Sequence, residues 1–166
     1  MATRRDALVS ASKLILAVQQ MAAEQEICRV STVGSIRAIP NAVNVIPGSA
    51  SIGLEFRDTD MNALAAAEQE LRRITDEAKV NEEVRIDVQR HRFTSSVPIA
   101  PDMQALVAEA AENCNMTWEP LASGAGHDAQ AVANIAPVAM IFVPSVDGIS
   151  HSMEEYSTPQ DCANGT

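Results

Sequence analysis

The chain has 166 residues, 46% of them apolar, which is enough for one or two domains with a real core and argues against a disordered chain. Its formal net charge is −10, from 22 acidic and 12 basic residues. That balance speaks against nucleic acid or an anionic membrane as the main partner, since both reward clustered Lys and Arg. Three widely spaced cysteines, Cys28, Cys114 and Cys162, form no CxxC. They predict reduced thiols in a cytoplasmic protein rather than a disulfide framework or a zinc knuckle. No apolar run approaches the roughly 18 to 20 residues of a membrane span, and the charged start has no apolar stretch behind it to form a signal peptide.

Aromatic residues make up only 3%, so the core must be built from Ala, Val, Ile, Leu and Met. Residues 6–24 read as a helix, with Leu8, Leu14, Ile15, Val18 and Met21 at helical spacing. Residues 28–38 are β-prone around Val30, Val33 and Ile36, and Pro40-Asn41 breaks the run. Pro47-Gly48 signals a turn. Residues 50–57 then alternate Ile52, Leu54 and Phe56 with Ser51, Gly53, Glu55 and Arg57, the period of a half-buried strand. Asp58 to Asp60 supplies a cap for a second helix over 61–79, rich in Ala, Leu and Glu. Residues 83–90 alternate Val84, Ile86 and Val88 with charged residues and predict a further strand. Helix, strand, strand, helix, strand suits an antiparallel α+β sheet with helices on one face.

The remainder has a different texture. Pro98 and Pro101 bracket a linker, and residues 102–115 form an amphipathic helix with Met103, Leu106, Val107 and Ala110 inward. A short strand is expected at 117–121, one or two helical turns at 127–133, and a buried strand at 138–143 in an α/β, parallel-sheet setting. The ten residues after Tyr156 are too few for another α/β layer.

Two of the three histidines stand in glycine-containing turns flanking the apolar run: His127 in Ser123-Gly-Ala-Gly-His-Asp128, and His151 in Gly148-Ile-Ser-His-Ser-Met-Glu-Glu155. Imidazole is the side chain best suited to metal ligation and proton transfer near neutral pH, and turns at strand ends are where α/β proteins build sites. The competing readings are a polar helix start for His127 and a surface histidine for His151. His91 lies between Arg90 and Arg92 and reads as a solvated strand end. Asn44 and Arg57 flank the Pro-Gly turn; each alone reads as an ordinary turn or strand-end residue, but together they make a good carboxylate receptor. No metal site closes from spacing alone, and neither a phosphate-binding Gly-Lys loop nor a GxSxG elbow is present.

Five segments in order resemble the metal-dependent amidohydrolases of the M20 peptidase superfamily. They are Arg4-Arg-Asp-Ala-Leu8, Pro40-Asn-Ala-Val-Asn-Val-Ile-Pro-Gly48, Arg57-Asp58, Ser123-Gly-Ala-Gly-His-Asp-Ala129, and Phe142-Val-Pro-Ser145 with Gly148-Ile-Ser-His-Ser-Met-Glu-Glu-Tyr156. The nearest branch is that of allantoate amidohydrolase, N-carbamoyl-L-amino-acid hydrolase and β-ureidopropionase. The resemblance implies an α/β protein: an α+β lid that mediates homodimerisation over 1–90, then part of a zinc-peptidase-like α/β catalytic domain over 91–166. It implies two divalent metal ions, zinc or manganese, and a small ureido or amide carboxylate as substrate. His151 matches the last metal ligand, His127 a substrate-contacting catalytic histidine, and Asn44 and Arg57 the lid residues that hold the substrate's carboxylate, including across a dimer. Asp128 matches the motif in a supporting role.

The family's other metal ligands, its catalytic glutamate and a lid histidine would lie before Arg4, as would the first lid strand, leaving an exposed sheet edge. The C-terminal helix that usually follows the Ser-His motif is also expected to be missing. The metal site is therefore incomplete here, and the expectation is an inactive portion of a larger enzyme. Two other readings stay open: a non-catalytic dimerisation or binding module, and a peptidase or aminoacylase of the same superfamily.

Overall fold

The structure, a computed structural model, describes residues 4–166. These fall into two compact units. The first runs to Ser96 and includes Ala122–Gly124; the second comprises Val97–Leu121 and Ala125–Thr166.

The first unit holds the core. Helix α1 (Ala7–Ala23) begins where the Asp6 carboxylate accepts the N–H groups of Leu8 and Val9 at 3.1 and 3.2 Å, satisfying donors that have no partner inside the helix. Its Leu14, Val18 and Met21 recur every three or four residues and are buried. Strands β1 (Val30–Ile39) and β2 (Ser49–Arg57) pair antiparallel from Val30↔Arg57 to Ile39↔Ser49, with an irregularity between Val33 and Ser35. Val33 is half-buried, while Val30, on the opposite face, and Ile36, beyond the break, are exposed. Opposite the break stands Gly53, where an added Cβ would lie 2.6 Å from Ser35 Oγ, so no larger residue fits without moving that side chain.

Helix α2 (Met61–Asn81) is capped by Asp60, whose carboxylate accepts the Asn62 N–H at 2.8 Å. Ala67 and Leu71 face inward and complete a core with Val18, Met21 and Cys28, against which Val33, Leu54, Phe56 and Ile74 pack. The outer face of α2 is laced by pairs at helical spacing: Glu68 with Arg72, Arg73 with both Glu70 and Glu77, and Asp76 with Lys79. Solvent screening leaves such exposed pairs little weight, whereas burying one large aliphatic side chain contributes about 1.5–3 kcal/mol. The apolar stripe therefore decides this helix's placement, and the charges keep its outer face wet.

Four of the five elements expected in the first ninety residues form. The fifth does not: residues 83–90 carry no strand hydrogen bonds. Their alternation survives in part, with Val84 and Ile86 half-buried between exposed neighbours. Alternation assigns side chains to faces, but a strand also needs a neighbouring backbone, and the sheet here has only β1 and β2 among the described residues. Arg90 pairs with Glu68 and lies 5.0 Å over the Phe93 ring, tying this segment's far end down.

The second unit contains α3 (Pro101–Asn113), α4 (Ala129–Val132), a 3-10 turn (Val146–Gly148) and α5 (Pro159–Asn164). None of its described residues is fully buried. The strands expected at 117–121 and 138–143 are not formed, and no parallel sheet is present among the described residues. On α3, Met103 and Val107 are half-buried as expected, but Ala110 is exposed and Leu106 is 59% exposed. An apolar run of the 138–143 kind needs covering on both faces; here Ile141 and Phe142 are open. The last ten residues nevertheless make one short helix, started by the Thr158 hydroxyl accepting the Asp161 N–H at 3.1 Å. Among the described residues, no helix is long and apolar enough to cross a membrane.

Cys28 is buried in the core, while Cys114 and Cys162 are exposed. Burial pushes the Cys28 thiol up, the nearby Asp58 carboxylate adds to this, and a hydrogen bond with the Val30 backbone partly offsets it. Since the thiolate is the nucleophile, alkylation of the native protein near pH 8 is expected to be at least about tenfold slower at Cys28 than at the other two cysteines. Mass spectrometry of iodoacetamide-treated protein reads this directly; equal rates at all three sites would contradict the burial.

Candidate active site

Asn44 sits in the loop 40–48 that joins the strands. The Ile39–Pro40 peptide bond at its start is cis. The loop closes where the Gly48 N–H donates to the Ile39 carbonyl at 3.0 Å, and it is fixed to α1 by the Ala7 N–H donating to the Pro47 carbonyl at 3.2 Å. Pro47 is buried, but Val43, Asn44, Val45 and Ile46 are all exposed. The loop thus offers two amide side chains, Asn41 and Asn44, among aliphatic ones on a closed backbone frame.

Arg57 ends β2 at the other extreme of the hairpin. Its guanidinium donates to Glu55 at 2.8 Å, and this hydrogen bond, reinforced by the carboxylate's charge, raises the Arg57 pKa. The cation is therefore permanent. It is also held loosely, with its side chain 48% exposed. Next to it, Asp58 accepts N–H groups from Asp60 at 2.9 Å and Arg29 at 2.8 Å. The bond from Asp60 is the largest cause of its lowered pKa; slight burial opposes the shift, and the Arg29 bond adds to it. A carboxyl held below its unfolded pKa stabilises the fold above that value, and the contribution is lost as pH falls through the depressed value. Asp58 therefore fastens the strand end throughout the neutral range.

Register separates the two residues proposed to share a carboxylate. Ser49 pairs with Ile39 at the loop end and Arg57 with Val30 at the opposite end. Eight residue steps at ~3.3 Å make roughly 26 Å. One protomer's Asn44 and Arg57 therefore do not meet, although only twelve residues lie between them in sequence.

In the second unit, His127 is half-buried just before α4. Its N–H donates to Gln130 Oε1 at 3.3 Å, its carbonyl accepts the Gln130 N–H at 3.0 Å, and its ring stands edge-on to Phe142 at 5.8 Å and 68°. The Gln130 bonds fix the His127 backbone, and the Phe142 ring borders the imidazole itself. Asp128 occupies the N-cap position of α4 but makes no side-chain capping bond. His151 is exposed, in a left-handed conformation (φ 57°), and its N–H donates to Glu155 Oε2 at 2.7 Å. That clasp fixes the turn's backbone and leaves the ring to solvent. Glu155 was visible in the motif four residues after His151, whereas nothing in the spacing marked Phe142 as the neighbour of His127.

Two divalent ions need several convergent ligands, and a single catalytic zinc takes about three from protein. Among the described residues, no group of three or more His, Cys, Asp or Glu side chains could hold a metal ion. The residues present do not fit a metal centre on their own; His151 is at most one ligand of it.

Residues 6–166 match the family model for peptidase family M20/M25/M40. The chain is 32% identical to the allantoate amidohydrolase of Escherichia coli, covering 99% of this chain and 40% of the relative. It is 33% identical to the N-carbamoyl-L-amino-acid amidohydrolase of Paenarthrobacter aurescens, covering 98% and 40%, and 34% identical to the ureidoglycolate hydrolase of Arabidopsis thaliana, covering 98% and 34%. Among solved structures, a hydantoinase/carbamoylase family amidase from Burkholderia vietnamiensis superposes with a TM-score of 0.90 at 32% identity, and AtUAH in complex with glyoxylate with 0.89 at 33%. In both, 99% of this chain covers 40% of the solved one. The chain spans about 40% or less of the length of these relatives. A match over almost every residue, with a shared fold at this identity, establishes that the chain belongs to peptidase family M20/M25/M40.

Proposed function

We propose that this chain is the lid-and-rim portion of a metal-dependent amidohydrolase that hydrolyses a C–N bond in a small ureido or amide carboxylate of the allantoate or N-carbamoyl amino acid kind. The observation that carries the reading is the placement of Asn44 and Arg57 at opposite ends of one hairpin. Both suit a carboxylate, and neither can serve the other's site within one protomer. A two-fold dimer resolves this: Asn44 of one subunit meets Arg57 of the other, so each site takes a part from both chains. Residues 1–90 act as the dimerising lid and residues 91–166 as part of the catalytic domain.

In that site Arg57 offers its fork to the substrate carboxylate, exchanging Glu55 for a substrate oxygen, and Asn44 donates an amide N–H to the same group. Fixing the carboxylate places the scissile carbon, which is the entropic part of catalysis. His127, its backbone fixed by Gln130 and its ring edge-on to Phe142, presents its imidazole to the carbonyl oxygen as a hydrogen-bond donor. His151 serves as one metal ligand. The remaining ligands and the general base are not supplied by this chain, so it has no turnover of its own.

The alternative, a non-catalytic dimerisation module, is favoured by one fact: the buried core lies wholly in the first unit. A pair of measurements separates the readings. Purified alone, the 166-residue chain is expected to leave allantoate and N-carbamoyl-L-alanine intact. Substituted for the matching segment of the E. coli allantoate amidohydrolase, it is expected to give a dimeric chimera that releases ammonia from a ureido substrate and stops when EDTA is added. Turnover by the isolated chain, or a folded dimeric chimera without any turnover, would sink the proposal.

A further inference from the structure

A concave surface of about 510 Å³ lies beside the loop that carries Asn44. Arg4, Asn41 and Asn44 contribute its polar lining, Leu8 and Ile46 part of its apolar wall. Asp6 also borders it, but its carboxylate is engaged by the first N–H groups of α1. Among the described residues, Arg4 is the only cation in the lining. Seven of the chain's twelve basic residues, Arg5, Lys13, Arg57, Arg72, Arg73, Lys79 and Arg90, are held in ion pairs. Arg4 makes no ion pair among the described residues, although its neighbour Arg5 reaches Glu83 at 3.0 Å. In a chain with a net charge of −10, a cation without an acidic partner beside two primary amides and an aliphatic wall matches a small carboxylate with an apolar body.

We propose that Arg4 is a carboxylate-binding, specificity-determining residue that acts with Asn44 in this groove. The proposal rests on the reading above only in taking a substrate carboxylate as the ligand. It adds that the loop end of the hairpin carries a cation of its own, so a subunit's contribution to the site is Arg4 with Asn44 rather than Asn44 alone. Arg4 lies two residues before the capping Asp6, outside α1 and outside the core. Its side chain can therefore be altered without touching the packing.

The test uses the 166-residue chain and two probes, N-carbamoyl-L-alanine and its neutral carboxamide, followed by backbone amide NMR. The carboxylate is expected to give saturable shifts at Asn41, Asn44 and Val45, and the carboxamide to bind at least about tenfold more weakly, as for loss of a charge-assisted hydrogen bond. Arg4→Gln is expected to show a similar loss, and Arg4→Lys to recover part of it. Equal affinity in wild type and Arg4→Gln, shifts confined to other residues, no saturation, or equal displacement by chloride would overturn the proposal. In the chimera, Arg4→Gln is expected to raise KM with little change in kcat. An active chimera whose KM ignores Arg4→Gln removes this inference alone. An inert chimera removes the amidohydrolase reading, while NMR still decides whether Arg4 binds a carboxylate.

Discussion

Two inactive variants of the chimera, Asn44→Ala and Arg57→Ala, are expected to recover about a quarter of the parent activity when their subunits are mixed, the value set by random pairing in a two-fold dimer. Each variant alone has both of its sites broken, one lacking the amide and the other the guanidinium. Removing one partner of a desolvated charged hydrogen bond costs about 2–5 kcal/mol, so each is expected to fall by about thirtyfold or more in kcat/KM. In a mixed dimer the two defects fall together in one site, and the other site receives Asn44 from the subunit that lacks Arg57 and Arg57 from the subunit that lacks Asn44. Half the dimers are mixed and each has one good site. Coexpression with two affinity tags isolates the mixed species, and ammonia release measures it. Mixed dimers as inactive as their parents would show that both residues serve the same subunit's site. The expectation rests on the roughly 26 Å that the strand register places between the hairpin's ends, and no side-chain rotamer closes that distance.

The second large effect concerns stability. Met21→Ala is expected to destabilise the first unit by about 2–5 kcal/mol, the range for emptying a fully packed site. Met21 is 1% exposed and Val18 fully buried, and they are the largest side chains with essentially no solvent contact. They join α1 to Cys28, Ala67 and Leu71, so a cavity there loosens both helices. Leu106→Ala on the open face of α3 is expected to cost no more than about 0.5 kcal/mol, as for other surface changes. Urea unfolding followed by far-ultraviolet circular dichroism compares the two. A Met21→Ala midpoint equal to wild type would show that the cluster does not hold the unit together.

The elements that periodicity identified are those with a local cause. Asp6 and Asp60 cap helices whose apolar stripes were plain, and 50–57 alternates as a strand should. The failures have one physical source. Residues 83–90 and 138–143 have strand-like composition, but a strand is completed by a neighbour's backbone, and composition says nothing about whether the neighbour is there. For the site, sequence singled out Asn44, Arg57, His127 and His151 as candidates, and it set the first two on either side of one turn. Only the pairing of Val30 with Arg57 reveals that they face opposite directions along the hairpin. Arg4 was legible merely as part of a motif. It lines the same groove as Asn44, next to the Ala7–Pro47 hydrogen bond, a contact across forty residues that no local pattern announces.

The hairpin's length acquires a meaning of its own from this geometry. Nine residues of β2 paired with β1 form a ruler, and its two marks are Asn44 and Arg57. Substitutions along the exposed face leave the ruler intact. Deleting one residue pair from the strands would shorten it by ~3.3 Å, turn every following side chain to the other face, and, in the proposed dimer, carry both marks out of reach of their counterparts. Variation in this segment is accordingly open at exposed positions such as Ser51, restricted at Gly53 and at the core-packed Leu54 and Phe56, and closed to insertions and deletions. In the proposed dimer, the same hairpin in a longer or shorter form would have to be matched by an equal change in the spacing between subunits.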